Sequence, residues 1–241
     1  MNLVKKIKNF LLDTIFPIFC LGCGVEGVWL CQACEDKIEI NSTLTCPLCR
    51  ASTNGHTCKK CASKTYLDGL LVATAYEATV MQTLIKTLKY HYAQETSEIL
   101  ANVLARFLTK IDKKYRPDIL QSQTKNLFTS VPLHKKRLLE RGFNQSDVIA
   151  RQLKKKFLYN YQPNLLWRKR YTDPQAKLKR KKRLSNLANA FSLSKSFDLK
   201  DKNVIIIDDV ATTLTTLNEC AKVLKQTNCR EVWGLVIAHG N

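Results

Sequence analysis

Residues 204–216 read Val-Ile-Ile-Ile-Asp-Asp-Val-Ala-Thr-Thr-Leu-Thr-Thr, and no other stretch limits the fold as tightly. Four β-branched apolar residues in a row predict a buried strand. Asp208 and Asp209 close it, a hydroxyl-rich turn follows, and an amphipathic run over 217–225 predicts a helix. This chemistry suits a sugar phosphate. The paired acids can accept hydrogen bonds from vicinal ribose hydroxyls. Thr212, Thr213, Thr215 and Thr216 can offer hydroxyls and backbone N–H groups to a phosphate at a helix N-terminus. The plainer reading is a parallel strand whose acids cap the next helix.

Eight of the ten cysteines fall in four Cys-x-x-Cys pairs: Cys20/Cys23, Cys31/Cys34, Cys46/Cys49 and Cys58/Cys61. A two-residue spacer lets both thiolates face one tetrahedral ion, and two such knuckles complete a four-thiolate zinc site. Two structural Zn2+ ions are expected, paired sequentially because short loops close at least entropic cost. A crossed pairing stays open. Disulfides would need an oxidising compartment. The basic and apolar stretch over 5–20 resembles an export signal, but Asp13 and Pro17 interrupt it and no small-residue cleavage site follows. A short amphipathic helix is expected there, in a cytoplasmic protein. No apolar run is long enough to span a bilayer.

After Lys64 the cysteine–glycine texture ends, which divides the chain into a metal-binding module, residues 1–64, and a larger domain, 65–241. The 45% hydrophobic content supports a real core, and the formal net charge is +19. A field of that sign attracts nucleic acid or a smaller anion such as a diphosphate. A strand is expected over 70–75, a helical pattern over 80–108 and a strand over 127–132. Residues 133–146 read as a basic loop, leading into a helix over 147–157. A last strand is expected over 231–238. The alternation of strand and helix implies a parallel α/β sheet.

Within the basic loop, Arg137 and Arg141 could clamp phosphate oxygens, Gly142 supplies a turn, and Asn144 and Gln145 can bind a ligand or cap the helix. Lys86 and Lys89 read as solvated cations, with Lys89 kept as a minor ligand candidate. Residues 168–183 hold nine basic residues and one acid, which predicts an exposed arm or a lid over an anion.

The zinc knuckles, the segment Val131-Pro132-Leu133-His134 … Arg141-Gly142-Phe143-Asn144-Gln145 and the Asp208-Asp209 signature together resemble the ComF family, specifically ComFC-type competence proteins. Arg170, Thr172, Gln175, Leu178, Arg183, Asn186 and Ala190-Phe191 fit the same pattern. The resemblance implies a type I phosphoribosyltransferase-like parallel sheet with helices on both faces, preceded by a double zinc ribbon. It implies that Asp208 and Asp209 hold the ribose of phosphoribosyl diphosphate, the threonine loop its 5-phosphate, and residues 137–145 its pyrophosphate. Arg141 would join the two acids in catalysis, with Mg2+ on the diphosphate. It also implies a role with incoming single-stranded DNA in natural transformation, beside the ComFA helicase and the mediator DprA. The chain departs from the family at Leu214, where glycine is usual. Turnover therefore stays open between a transferase of unknown acceptor, a non-catalytic DNA-uptake adaptor with a relic site, and a nucleotide-salvage enzyme.

Overall fold

The computed structural model describes residues 17–240 apart from 78, 91–93, 116, 122–124, 158, 172–186 and 195–196. Most of the expected N-terminal helix and of the basic arm, including Thr172, Gln175, Leu178, Arg183 and Asn186, lies outside the described residues.

Five parallel strands lie in the order β1 (Gly69–Ala75), β7 (Glu231–His239), β6 (Asn203–Ala211), β2 (Asn126–Ser130), β3 (Asn160–Tyr161). Residues 204–207 sit at the centre of the sheet and are fully buried, as a run of β-branched residues demands. Alternation then assigns the layers. Ile205 and Ile207 pack with α2 (Thr79–Tyr90), α3 (Gln94–Tyr115) and α6 (Gln145–Lys154). Val204 and Ile206 pack on the opposite face, with α7 (Thr215–Lys225) and a two-stranded hairpin, β4 (Leu166–Arg168) and β5 (Phe191–Leu193). Each such side chain contributes about 1.5–3 kcal/mol on burial, so a one-residue slip of β6 is strongly disfavoured. That register also fixes where the two acids point.

Apart from that N-terminal helix, the expected strands and helices are present among the described residues, with ends shifted by a few residues. Residues 133–146 differ from the expected loop. A short helix, α5 (Lys135–Arg141), fills most of it. The side chain of His134 accepts from the Lys136 N–H at 3.2 Å, and Gly142 ends the helix at φ 79. Both cap signals stand in the sequence, but the dense positive charge obscured them. The β4–β5 hairpin was also unforeseen, because its strands flank the basic arm.

The cysteine-rich segment shares the core of the sheet rather than standing clear of it. Cys20, Leu30, Ile38 and Leu44 join the cluster on the α2–α3 face. A short helix, α1 (Gln32–Asp36), begins directly after Cys31. From α3, Arg106 donates to the Glu35 carbonyl at 2.7 Å and Lys110 to the Ile40 carbonyl at 2.7 Å. Trp233 of β7 is fully buried beneath the same segment, its ring edge-on to His56 at 4.6 Å. Gly69 is required here. A Cβ on it would lie 2.3 Å from the Trp233 ring. No helix among the described residues is long and apolar enough to cross a membrane.

Candidate phosphoribosyl and metal sites

The cysteines form two groups of four: Cys20, Cys23, Cys31 and Cys34, then Cys46, Cys49, Cys58 and Cys61. Within each, all sulfur atoms lie within 4.8 Å of one another. That is the sequential pairing. The two groups repeat one pattern. The Cys31 N–H donates to the Cys20 sulfur at 3.3 Å, and the Cys58 N–H to the Cys46 sulfur at 3.4 Å. Burial raises both Cys20 and Cys46, but backbone donors outweigh it and leave each at about 6. Cys34 is pushed up to about 12, first by Cys31 and then by burial. Burial and then Cys58 raise Cys61 to about 12. Four crowded sulfurs cannot all ionise without a cation, and a tetrahedral zinc ion resolves the conflict. Gly22 belongs to this geometry, since a Cβ there would stand 2.7 Å from the Cys34 sulfur. Each group can therefore hold one metal ion such as zinc, with no position open for substrate.

The second site lies at the C-terminal end of β6. Alternation turns Asp209 toward the α2 layer, where its Oδ2 is 2.7 Å from Lys89 Nζ. Burial pulls the Lys89 ammonium down, but Asp209 and then Asp208 hold it above its usual value. Lys89 was the under-weighted residue. It lies far from the acids in sequence, and nothing local to it signals the pairing.

The Asp208 Oδ1 accepts from the Ser146 hydroxyl at 2.8 Å and from the Asp209 N–H at 2.9 Å. Burial, and then the adjacent Asp209 carboxylate, push Asp208 up to about 7. Two carboxylates so placed invite a hydroxyl donor or a cation between them and their ligand.

Positive groups surround the acids. The charges of Arg141 and Lys89 oppose each other, and Arg137 does the same to Arg168. Burial and then Arg137 lower the Arg168 guanidinium to about 10. Its ring partner is Phe191, at 5.5 Å. Arg137 and Arg141 are half-buried on α5, which a parallel bridge between His134 and Arg168 ties to the hairpin.

The other sequence candidates divide. Asn144 caps α6, accepting from the Ser146 N–H at 3.2 Å and donating to the Val131 carbonyl at 2.9 Å. It positions Ser146 rather than facing open space. Gln145 is 3% exposed, and Gly142 is the exposed end of α5. The loop opening α7 places the Thr213 hydroxyl 2.8 Å from that of Thr215. Thr212 is exposed and Thr216 half-buried at the same turn.

Leu214 resolves its own anomaly. Its backbone is left-handed, φ 58 and ψ 0, which is the conformation a glycine adopts without cost. Its side chain is 6% exposed and lies in the core under α7. The turn is thus kept with a bulky residue, at a strain of about 1 kcal/mol set against the burial of a leucine.

A family model described as a phosphoribosyl transferase domain matches residues 138–240, which span α5 to β7 and so include Arg141, both acids and the threonine loop. The DNA utilization protein YhgH of Escherichia coli K12 is 31% identical over 227 residues, 91% of this chain and 96% of that one. Competence protein F of Haemophilus influenzae is 30% identical over 232 residues, 92% of this chain and 98% of that one. The chain belongs to the ComF family. Competence protein ComFC of Bacillus subtilis is 28% identical over 199 residues, 81% of this chain and 77% of its own. The fold of this ComF chain is accordingly of the type I phosphoribosyltransferase kind. Lys89 lies on α2, outside the matched domain.

Proposed function

We propose that this ComF chain binds phosphoribosyl diphosphate with Mg2+ and works in the handling of single-stranded DNA during uptake. The observation that carries the reading is the Asp208–Asp209 pair at the end of β6, followed directly by a threonine turn at the N-terminus of α7. The acids receive the ribose hydroxyls, and Lys89 and Ser146 hold their carboxylates in place. Hydroxyls and N–H groups of residues 212–216 receive the 5-phosphate. Arg137 and Arg141 address the pyrophosphate, with Arg168 adding to the positive field. Asp208, Asp209 and the diphosphate offer the carboxylate and phosphate oxygens that would hold Mg2+, a hard cation that would supply charge neutralisation for the leaving group. The raised pKa of Asp208 fits such a cation, which relieves its repulsion with Asp209. The protein's contribution to pyrophosphate departure is electrostatic stabilisation and exclusion of water.

Calorimetric titration of the zinc-loaded chain with phosphoribosyl diphosphate and Mg2+ tests this. Saturable binding is expected, and its loss in an Asp208→Asn/Asp209→Asn double variant. Absence of binding by the wild type would sink the transferase reading.

The DNA part of the proposal draws on the names of the relatives and on one surface. Trp167 and Tyr171 are 48% and 40% exposed, with Arg168, Lys169 and Arg170 between them. Lys136 sits 4.9 Å over the Tyr171 ring. Exposed aromatic rings among cations suit stacked bases and phosphates. Affinity for an oligonucleotide should fall steeply with salt, and Lys169→Ala/Arg170→Ala should flatten that dependence. An unchanged salt slope would remove this surface from the interface. Association with ComFA and DprA and a cytoplasmic location are part of the same proposal.

A further inference from the structure

A chain of hydrogen bonds reaches from the edge of the sheet toward Asp208. The edge strand β3 is only Asn160 and Tyr161, paired with Leu127 and Phe128 of β2. So short a strand adds little to the ladder. What it delivers is a buried phenol. Tyr161 is 7% exposed, and its hydroxyl lies 2.6 Å from Asp147 Oδ1 and 3.1 Å from the Ser130 hydroxyl. A phenol carries one proton. The shorter contact, to a carboxylate, takes it, so Ser130 turns its own proton to the phenolic oxygen. Burial, and then the bond to Asp147, hold the Tyr161 phenol protonated well above its usual range.

Asp147 is the third residue of α6, where an acid ordinarily favours the helix dipole or reaches back to the cap. Here both its oxygens are engaged elsewhere. Oδ1 accepts from Tyr161, and Oδ2 lies 3.0 Å from Arg151 Nε. Ser130 is the buried last residue of β2. Tyr161 thus ties the edge strand, the end of β2 and the first turn of α6 into one unit. Asn144 makes a second tie, from the cap of α6 to the Val131 carbonyl. Two ties at one helix start fix its rotation as well as its place.

Ser146 stands between them. Its hydroxyl donates to Asp208 Oδ1 at 2.8 Å, and the Asp209 N–H donates to the same oxygen at 2.9 Å. Both bonds fall on Oδ1, so together they fix the rotation of the carboxylate. A hydroxyl-to-oxygen bond spans about 2.5–3.0 Å, so a shift of α6 by a few tenths of an ångström is enough to lose it.

We propose that Tyr161 is a positioning residue for Asp208: through Asp147 and Ser130 it fixes the first turn of α6, and with it the Ser146 hydroxyl that holds the carboxylate. That the carboxylate so held serves phosphoribosyl diphosphate rests on the reading proposed above; the linkage from Tyr161 to Ser146 does not.

Tyr159 supplies the control. Its hydroxyl donates to the Ala150 carbonyl of α6 at 2.7 Å, so Tyr159→Phe removes a comparable bond to the same helix without touching Asp147. The full zinc-loaded chain is titrated with phosphoribosyl diphosphate and Mg2+ as wild type, Tyr161→Phe, Ser146→Ala, their double variant and Tyr159→Phe. The ligand-free melting temperature of each is recorded. Tyr161→Phe should weaken binding about fivefold, the scale of one hydrogen bond. Tyr159→Phe should melt lower by a similar amount yet bind within about twofold of the wild type. The double variant should bind no more weakly than Ser146→Ala alone, and its loss of melting temperature should fall short of the sum of the single losses. Undiminished binding by Tyr161→Phe, equal weakening by Tyr159→Phe, or losses of affinity that multiply in the double variant overturn the proposal. If the wild type binds no phosphoribosyl diphosphate, the ligand reading falls and the melting temperatures alone decide. Additive losses would then end the positioning role, and a shortfall would sustain it.

Discussion

Stripping metal from the zinc-loaded chain with a chelator should release two zinc ions per chain and lower the melting temperature by at least about 10 °C. The argument runs from sulfur to core. Without a cation, the sulfurs of each group, held within 4.8 Å, cannot coexist as thiolates. Structural zinc in small modules contributes on the order of 10 kcal/mol to folding. Release of residues 20–61 would remove Cys20, Leu30, Ile38 and Leu44 from the α2–α3 face and uncover Trp233 beneath His56. Damage would not stay in the module. Exposed apolar surface should bind a hydrophobic dye, and limited proteolysis should cut within 20–61 first. A chelated chain that melts and resists protease like the loaded one would refute a shared core dependent on metal.

Asp208→Asn should move stability and ligand binding in opposite directions. Asparagine keeps an acceptor for the Ser146 hydroxyl and the Asp209 N–H but removes the repulsion with Asp209. The folded carboxyl titrates at about 7, above its ordinary value of 3.8. Between those values the unfolded chain releases the proton while the folded chain retains it. The wild type therefore loses stability as pH rises, and the full penalty is present above about pH 7. A shift of that size corresponds to at most about 4 kcal/mol, shared with Asp209. The ligand-free variant should thus melt several degrees higher than the wild type at pH 8, with the gap closing by about pH 4. Affinity for phosphoribosyl diphosphate should fall by roughly 10–100-fold, the value of a charge-assisted bond. Equal melting at pH 8 would refute the electrostatic account. Unchanged affinity would remove Asp208 from the ribose site.

What the sequence disclosed was local. The β-branched run, the two acids and the four cysteine pairs lie within short windows, and their periodicity or spacing dictates both structure and chemistry. The parallel sheet followed from the order of such windows. Lys89 stands out only weakly in the sequence because its partner Asp209 meets it only once α2 has packed on β6. Arg50 and His239, 189 residues apart, meet for the same kind of reason. Helix α5 was lost in its own charge, although His134 and Gly142 mark its ends. Leu214 shows another limit: residue type marks a departure from glycine, but not that the backbone adopts the left-handed turn and uses the side chain as core.

The strand order carries a consequence for biosynthesis. β7 lies between β1 and β6, yet it is translated after every other strand of the sheet. While the ribosome works, β1 and β6 have no neighbour to join them, and the cysteine-rich segment waits for Trp233 to cover. The nascent chain must therefore keep β1 apart from the β6–β2–β3 part of the same sheet until β7 emerges. A premature stop before residue 231 would leave no closed sheet. Such a fragment would expose unpaired edges to aggregation and quality control instead of retaining partial function.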